Sequence, residues 1–252
     1  MDFVILQHDE YLPAGALDQV LAQRRRAVRT VRLWQGEPVP AASSGVRALV
    51  VLGGHGMPAP DQRDAELALL AACVADGVPV LGICLGAQRL AEATGGRAQV
   101  GAGSVGYVPI TRTKEAADDP VFDAYPDGMA ALRLDADALM PGPGAVMLAL
   151  TADGAAAGFR VGETAYGVGF HPELDADAIT ALIPRLAIED PDGLAVQARR
   201  RDAFHLGMGM SLLGRWVDGV VGRTPDEQPW GRRGPQPVPA PGLSLHPAPA
   251  PG

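Results

Sequence analysis

Short unbroken apolar runs alternate with stretches of helical period over the first hundred residues. "DFVILQH" (2–8), "VRALVVLGG" (46–54) and "VPVLGI" (78–83) carry apolar residues at consecutive positions and predict strands buried on both faces. "AVRTVRLW" (27–34) alternates and predicts a further strand. Between them, "GALDQVLAQRR" (15–25) places Leu17, Val20 and Leu21 on one helical face. Residues 61–76 place Leu67, Leu70 and Val74 at i, i+3 and i+7. From Ala87 a third helix runs to the Gly95-Gly96 stop. This β-α-β-α order predicts an α/β fold: an open, mostly parallel, doubly wound sheet with helices on both faces.

Past residue 97 the rhythm changes. "SVGYVPITRT", "MAALRLDA", "GAVMLALT", "AAAGFRVG" and "TAYGVGFHP" are short strand-like runs joined by Gly, Pro and Asp turns, which predicts an added antiparallel portion. Helical period returns at 174–187, with Ile179, Leu182, Ile183 and Leu186 on one face. It returns again at 194–221, where Leu206, Met210, Leu213, Val217 and Val220 form the stripe expected to dock. From Thr224 the stretch holds nine of the chain's 23 prolines, too many for a packed core. The expected organisation is a main domain over 1–190, a helical extension over 191–223 that packs on it, and a flexible Pro-rich tail over 224–252.

Composition narrows the function. With 252 residues and 47% hydrophobic content the chain can bury a substantial core. A net charge of −8 and 5% aromatics argue against nucleic-acid binding. The arginine triplets 24–26 and 199–201 read as solvated helix ends or faces. No run approaches the roughly 18 apolar residues of a membrane span, and the opening residues lack the pattern of a signal peptide. Two cysteines make no disulfide framework, so a reducing, cytoplasmic setting is expected.

One of those cysteines sits where chemistry is expected. In "GICLG" (82–86), Cys84 joins a buried strand to a helix, flanked by two glycines. Glycines on both sides allow a crowded strand-to-helix turn, the cysteine form of the nucleophile elbow. The helix N-terminus that follows favours the thiolate. Cys73, in mid-helix without such a turn, reads as core. A nucleophile needs a base and an orienting group. Among the five histidines, His171 ends a strand in "GFHPE", and Glu173, two residues on, lies on the same side of extended chain. His8 and His55 are alternatives at the same sheet edge, His205 reads as a surface residue of the last helix, and His246 lies in the tail. The glycine pair of "VVLGGHGMP" lets backbone amides turn into a cleft, where the N–H groups of Gly54 and Leu85 would form an oxyanion hole. No metal ligand set is apparent.

Together, G-I-C-L-G-x-Q at the elbow and F-H-P-E downstream resemble the class I, triad-type glutamine amidotransferases over about residues 3–190. "LQHDEYLPAGALDQVL", the run at 36–40 and "FRVGETAYGVGFHPE" resemble its stand-alone, GMP-synthase-like branch. The resemblance implies a flavodoxin-like fold and hydrolysis of the glutamine side-chain amide to glutamate and ammonia, with no cofactor. It implies Cys84 as nucleophile, His171 as base and later acid, Glu173 as orienter, Gly54 and Leu85 as oxyanion-hole residues, and Gln88 as a substrate contact. The expected partners are L-glutamine and an ammonia-accepting synthetase, since the chain carries no ATP-binding loop.

Three departures bear on the substrate. His55 follows the glycine pair where relatives often carry Pro. Gly169 replaces a common Gln. "LRLDADALMP" offers Asp135 and Asp137 where many members have a histidine-containing turn. A carboxylate there would disfavour the α-carboxylate of glutamine. Two alternatives therefore stand beside the glutaminase: a cysteine hydrolase acting on another γ-glutamyl or amide bond, and a non-catalytic subunit that retains the fold.

Overall fold

A computed structural model of the chain describes residues 2–54, 60–101, 103–135 and 137–222, with the side chain of Asp135 outside the description. His55, His246 and the Pro-rich stretch from 224 lie outside the described residues.

Four strands open the fold: β1 (Asp2–Gln7), β2 (Val28–Arg32), β3 (Val46–Val51) and β4 (Val80–Ile83). Seven follow: β5 (Arg97–Gln99), β6 (Ser104–Arg112), β7 (Met129–Asp135), β8 (Ala138–Met140), β9 (Val146–Thr151), β10 (Ala156–Val161) and β11 (Ala165–Val168). The helices are α1 (Ala16–Gln23), α2 (Pro60–Ala75), α3 (Leu85–Ala93), α4 (Ala176–Leu182) and α5 (Pro191–Trp216), the last continued by a π-helical turn over Val217–Val221.

The sheet runs β2-β1-β3-β4-β11-β10-β9-β6-β7, with β5 and β8 paired off this path. Pairs from β2 through β11 are parallel. Those from β11 to β7 are antiparallel. This is the doubly wound sheet with an antiparallel portion that the pattern predicts. The short β5 and β8, each three residues, carry too little alternation to be read from sequence.

Both faces are buried, and successive residues divide between them. Phe3 and Ile5 of β1 join α1 and α5 in one cluster through Leu17, Leu21, Leu213 and Trp216. Val4 and Leu6 join α2 and α3 in the other through Leu70, Cys73 and Leu90. A strand covered on both sides has no polar face to show, hence the unbroken apolar runs.

Two helices sit rotated from their expected stripes. The buried line of α2 is Glu66, Leu69, Leu70 and Cys73, with Leu67 and Val74 only half-buried. That of α5 includes His205, Gly209, Leu212, Leu213 and Trp216, so Leu206 and Met210 are partly buried instead. In each case a polar side chain, Glu66 or His205, turns inward and shifts the face. The 174–187 helix also shortens: α4 ends at Leu182 and a 3-10 turn with Pro184 follows.

Close approach fixes some glycines. A Cβ on Gly86 would lie 2.0 Å from the Val51 carbonyl oxygen. By contrast, Gly207, exposed in mid-α5, has nothing within 4 Å of its Cβ position. Gly86→Ala should therefore destabilise the fold by roughly 1–3 kcal/mol through overpacking. Gly207→Ala should stabilise it by up to about 1 kcal/mol. Thermal melting of the two variants checks both signs.

Candidate active site

The first part of the site is built by a strained turn. Cys84 caps α3 with φ 53° and ψ −110°, a left-handed conformation that costs a non-glycine residue about 1–3 kcal/mol. Gly82 makes room for the turn, since a Cβ there would lie 2.4 Å from the Gly86 carbonyl oxygen. The turn is tied down by the Cys84 N–H, which donates to the Val168 carbonyl at 2.8 Å, and by the Cys84 carbonyl, which accepts from Ala87 and Gln88. Cys84 is 8% exposed.

Sheet register supplies the second part. β11 lies parallel to β4 with Val168 opposite Ile83, so the chain leaving β11 emerges beside Cys84. There His171 Nδ1 lies 2.8 Å from Glu173 Oε1, both side chains buried. Backbone contacts hold this turn. The His171 N–H donates to Leu132 of β7, and the Ala16 N–H at the start of α1 donates to the Glu173 carbonyl, each at 2.8 Å. His171 Nε2 is sealed from solvent and makes no bond of regular geometry, and the ring is coupled to the Cys84 side chain.

The other neighbour of β4 is β3, whose end closes the site. A Cβ on Gly53 would lie 2.9 Å from His171 Cε1 and 3.5 Å from Cys84 Cβ. The first glycine of the pair thus lies against both side chains, and a side chain in its place would push the His171 ring aside.

The electrostatics follow. Burial opposes a charge on His171, but the Glu173 carboxylate, then Cys84, outweigh it and hold the imidazole pKa well above its usual value. An imidazolium backed by a carboxylate and facing a thiol can stabilise a thiolate and later return a proton. Burial, with Asp76 nearby, instead pushes the Cys73 thiol up to about 11.

The remaining sequence candidates divide. Leu85 follows Cys84 and packs against Gly54, whose Cβ position is 3.1 Å from Leu85 Cδ2. Gln88 is buried on the first turn of α3. His8 turns to Glu66, with Nε2 at 3.0 Å from its carboxylate. His205 corrects its surface assignment: it is 4% exposed and adjoins the His171–Glu173 turn. Asp137 accepts a hydrogen bond from the Gly101 N–H at 3.0 Å, and Asp135 pairs in register with Ser104. At Gly169 the nearest atoms to a Cβ are 3.6 Å away, so a Cβ there would be in ordinary van der Waals contact.

Sequence reasoning missed Glu66 and Arg89. Glu66, 1% exposed, takes His8 on one side and faces Arg89 Nε at 3.6 Å on the other. Arg89 and Arg63 both reach Glu92, at 3.1 and 2.8 Å. This chain of charges ties the end of β1 and α2 to the helix that carries Cys84. A glutamate at a helical i−1 from an apolar stripe is ordinarily solvent-facing, so the pattern offered no signal for it. Among the described residues, no group of three or more His, Cys, Asp and Glu is arranged to hold a metal ion, and no helix is long and apolar enough to cross a membrane.

The doubly wound sheet carries a cysteine elbow after one central strand, β4, and a His-Glu pair in the turn just beyond its neighbour β11. Residues 15–185 match the family model of class-I glutamine amidotransferase, and the chain belongs to that family. It is 34% identical over 141 residues to a glutamine-hydrolysing GMP synthase of Pyrobaculum aerophilum, covering 54% of this chain and 26% of that one. The chain thus spans about a quarter of that relative's length. It is 32% identical over 160 residues to one subunit of the glutamine-hydrolysing GMP synthase of Methanoculleus marisnigri, covering 62% and 79%. The fold matches a glutamine amidotransferase crystal structure from Methylobacillus flagellatus with a TM-score of 0.77, at 22% identity over 87% and 95% of the two chains.

The two thiols should separate chemically. Iodoacetamide at neutral pH should modify Cys84 well before Cys73, read by peptide mass spectrometry. Equal labelling in the folded protein would contradict the site. Glu173→Gln removes the largest upward push on His171, which then loses its proton at lower pH. The imidazolium that supports a thiolate is then less populated, and Cys84 alkylation near neutral pH should slow on the order of tenfold, about one pKa unit. Superimposable pH–rate curves for the two proteins would exclude that coupling.

Proposed function

We propose that the chain is a glutaminase subunit that hydrolyses the side-chain amide of glutamine through a thioester on Cys84 and passes ammonia to a separate acceptor enzyme. The observation that carries this reading is the buried 2.8 Å bond between His171 and Glu173, with the imidazole coupled to a cysteine on a strained elbow. Cys84 attacks the amide carbon as thiolate, and the carbonyl electrons move onto oxygen. The N–H groups of Gly54 and Leu85 stabilise that oxyanion, and Gln88 contacts the substrate. His171 protonates the departing nitrogen as the C–N bond breaks, which releases ammonia. The neutral imidazole then takes a proton from water as it attacks the thioester. Glutamate leaves, and the thiolate–imidazolium pair is restored.

The GMP synthase relatives support the ammonia-accepting partner, because a glutamine-hydrolysing GMP synthase joins glutamine hydrolysis to a synthesis. The structure bears on the competing substrates at Asp137, whose carboxylate is engaged by a backbone amide. One such bond leaves the charge of the carboxylate and its second oxygen in place, so the choice between glutamine and another γ-glutamyl substrate rests with the turnover assay below. A reducing, cytoplasmic setting suits a mechanism that needs a free thiol.

Glutamine should acylate Cys84 and release ammonia, and Cys84→Ala or Cys84→Ser should abolish turnover while the fold persists. Intact-protein mass spectrometry after acid quench and an ammonia assay read the two steps. The rate without a partner is expected to be low if an oxyanion donor is incompletely placed, since one donor is worth about 100- to 1,000-fold. Turnover that survives loss of Cys84 would refute the reading. Cleavage of another γ-glutamyl amide at Cys84, with glutamine ignored even beside a partner, would replace the substrate and leave the chemistry.

A further inference from the structure

The β1–β3 ladder ends at Leu6 and Val51, and its last tie is the Leu52 N–H, which donates to the Leu6 carbonyl at 3.0 Å. Beyond it the two chains run on as Gln7-His8 and Gly53-Gly54. Among the described residues, no backbone hydrogen bond holds either glycine. Packing holds them instead. Gly53 lies against the His171 ring and Cys84, while a Cβ on Gly54 would lie 2.5 Å from His8 Cβ, 3.2 Å from His8 Cγ and 3.1 Å from Leu85 Cδ2. His8 thus presses closest on the Gly54 backbone.

His8 is in turn fixed from α2. Its Nε2 lies 3.0 and 3.1 Å from the two carboxylate oxygens of Glu66, and both side chains are buried. Among the described residues Nδ1 has no hydrogen-bond partner, so Glu66 is the polar tether of the ring. Glu66 faces Arg89 of α3, whose Nε is 3.6 Å from Oε2, and Arg89 reaches Glu92 of the same helix at 3.1 Å.

We infer that His8 is a positioning residue for the Gly53-Gly54 turn: tethered to Glu66, it holds the Gly54 peptide so that its N–H can face the oxygen of a tetrahedral adduct on Cys84. The inference rests on the oxyanion hole of the proposed function and adds what keeps one of its donors in place. A glycine peptide without hydrogen bonds has little preference of its own for one orientation. A donor stabilises an oxyanion only where its direction is set beforehand. The tether supplies that constraint, and it runs through Arg89 to α3, which begins at Leu85, the residue carrying the other donor. Both N–H groups are thereby referred to one rigid group of side chains.

The test uses the full chain, needs no acceptor enzyme and reads Cys84 with two reagents. Iodoacetamide loses iodide from its methylene carbon to the thiolate, and no charge develops on its carbonyl oxygen. With p-nitrophenyl acetate the thiolate adds to the carbonyl carbon, the oxygen takes the charge, and p-nitrophenolate then leaves. Rates of both reactions are compared in wild type, His8→Ala, Glu66→Leu and Glu66→Gln, with Cys84→Ala as the background. Circular dichroism and melting establish which variants fold, and either His8→Ala or Glu66→Leu suffices. Acylation should slow about tenfold in these two, part of the roughly 100- to 1,000-fold that a whole donor is worth. Alkylation should keep its wild-type rate, because the thiolate and His171 are untouched. Glu66→Gln, which keeps an oxygen for the His8 ring, should recover most of the acylation rate. A folded variant with unchanged acylation would overturn the positioning role, and so would one in which both reactions slow equally. Glu66→Gln as slow as Glu66→Leu would overturn the tether. A wild-type Cys84 that the ester acylates no faster than the background would overturn the oxyanion hole and the role of His8 together. Ester acylation at Cys84 by a protein that ignores glutamine even beside a partner would overturn the glutaminase reading alone, and the ratio of the two rates would still decide the role of His8.

Discussion

The site depends on one buried contact, the bond from His171 Nδ1 to Glu173 Oε1. Neither side chain has access to water, so each charge is tolerated only because the other is there. Removing one partner of such a pair leaves an uncompensated buried charge, at a cost of about 3–5 kcal/mol. The surroundings show how much structure is committed to keeping the contact. β7 holds the His171 amide, α1 holds the Glu173 carbonyl, and α5 rests on Pro172 between them. Three elements far apart in sequence therefore meet on three residues.

The cysteine reaches this pair through sheet register and backbone strain. Parallel pairing of β4 with β11 sets residues 83 and 168 side by side, and the elbow then lifts Cys84 out of the strand. The strained turn at Cys84 is accommodated because glycines at 82 and 86 allow the backbones to approach closely, and its amide is bonded to Val168. The His8–Glu66–Arg89–Glu92 chain braces the opposite side, where α3 meets α2 and the end of β1. Strain at Cys84 is thus flanked by ionic and hydrogen-bonded ties on both sides.

Much of this was legible in the sequence. The elbow follows from glycine spacing around Cys84. The two-residue spacing of His171 and Glu173 pointed to their pairing, but the strand expected to end at His171 ends at Val168, and the pair lies in the turn beyond it. The unbroken apolar runs of β1, β3 and β4 reported burial on both faces. What escaped was the inward turn of polar residues. Apolar periodicity assigned α2 a face without Glu66 and α5 a face without His205, and both faces proved rotated by about one residue. A buried Glu paired with a histidine 58 positions away, or a His packed edge-on to a tyrosine 98 positions away, leaves no local pattern, because its partner is supplied only by the tertiary fold. β5 and β8 escaped for a related reason, since strands of three residues exist only through their pairing.

The central claim is that His171 is held protonated by Glu173 while it faces Cys84. Nitrogen-15 spectra of the histidine rings in the resting protein at neutral pH test it directly. The account predicts that both ring nitrogens of His171 carry protons at neutral pH, and that Glu173→Gln shifts the titration of this ring to lower pH. A His171 ring with a single N–H at neutral pH, unchanged by loss of the Glu173 charge, would contradict it.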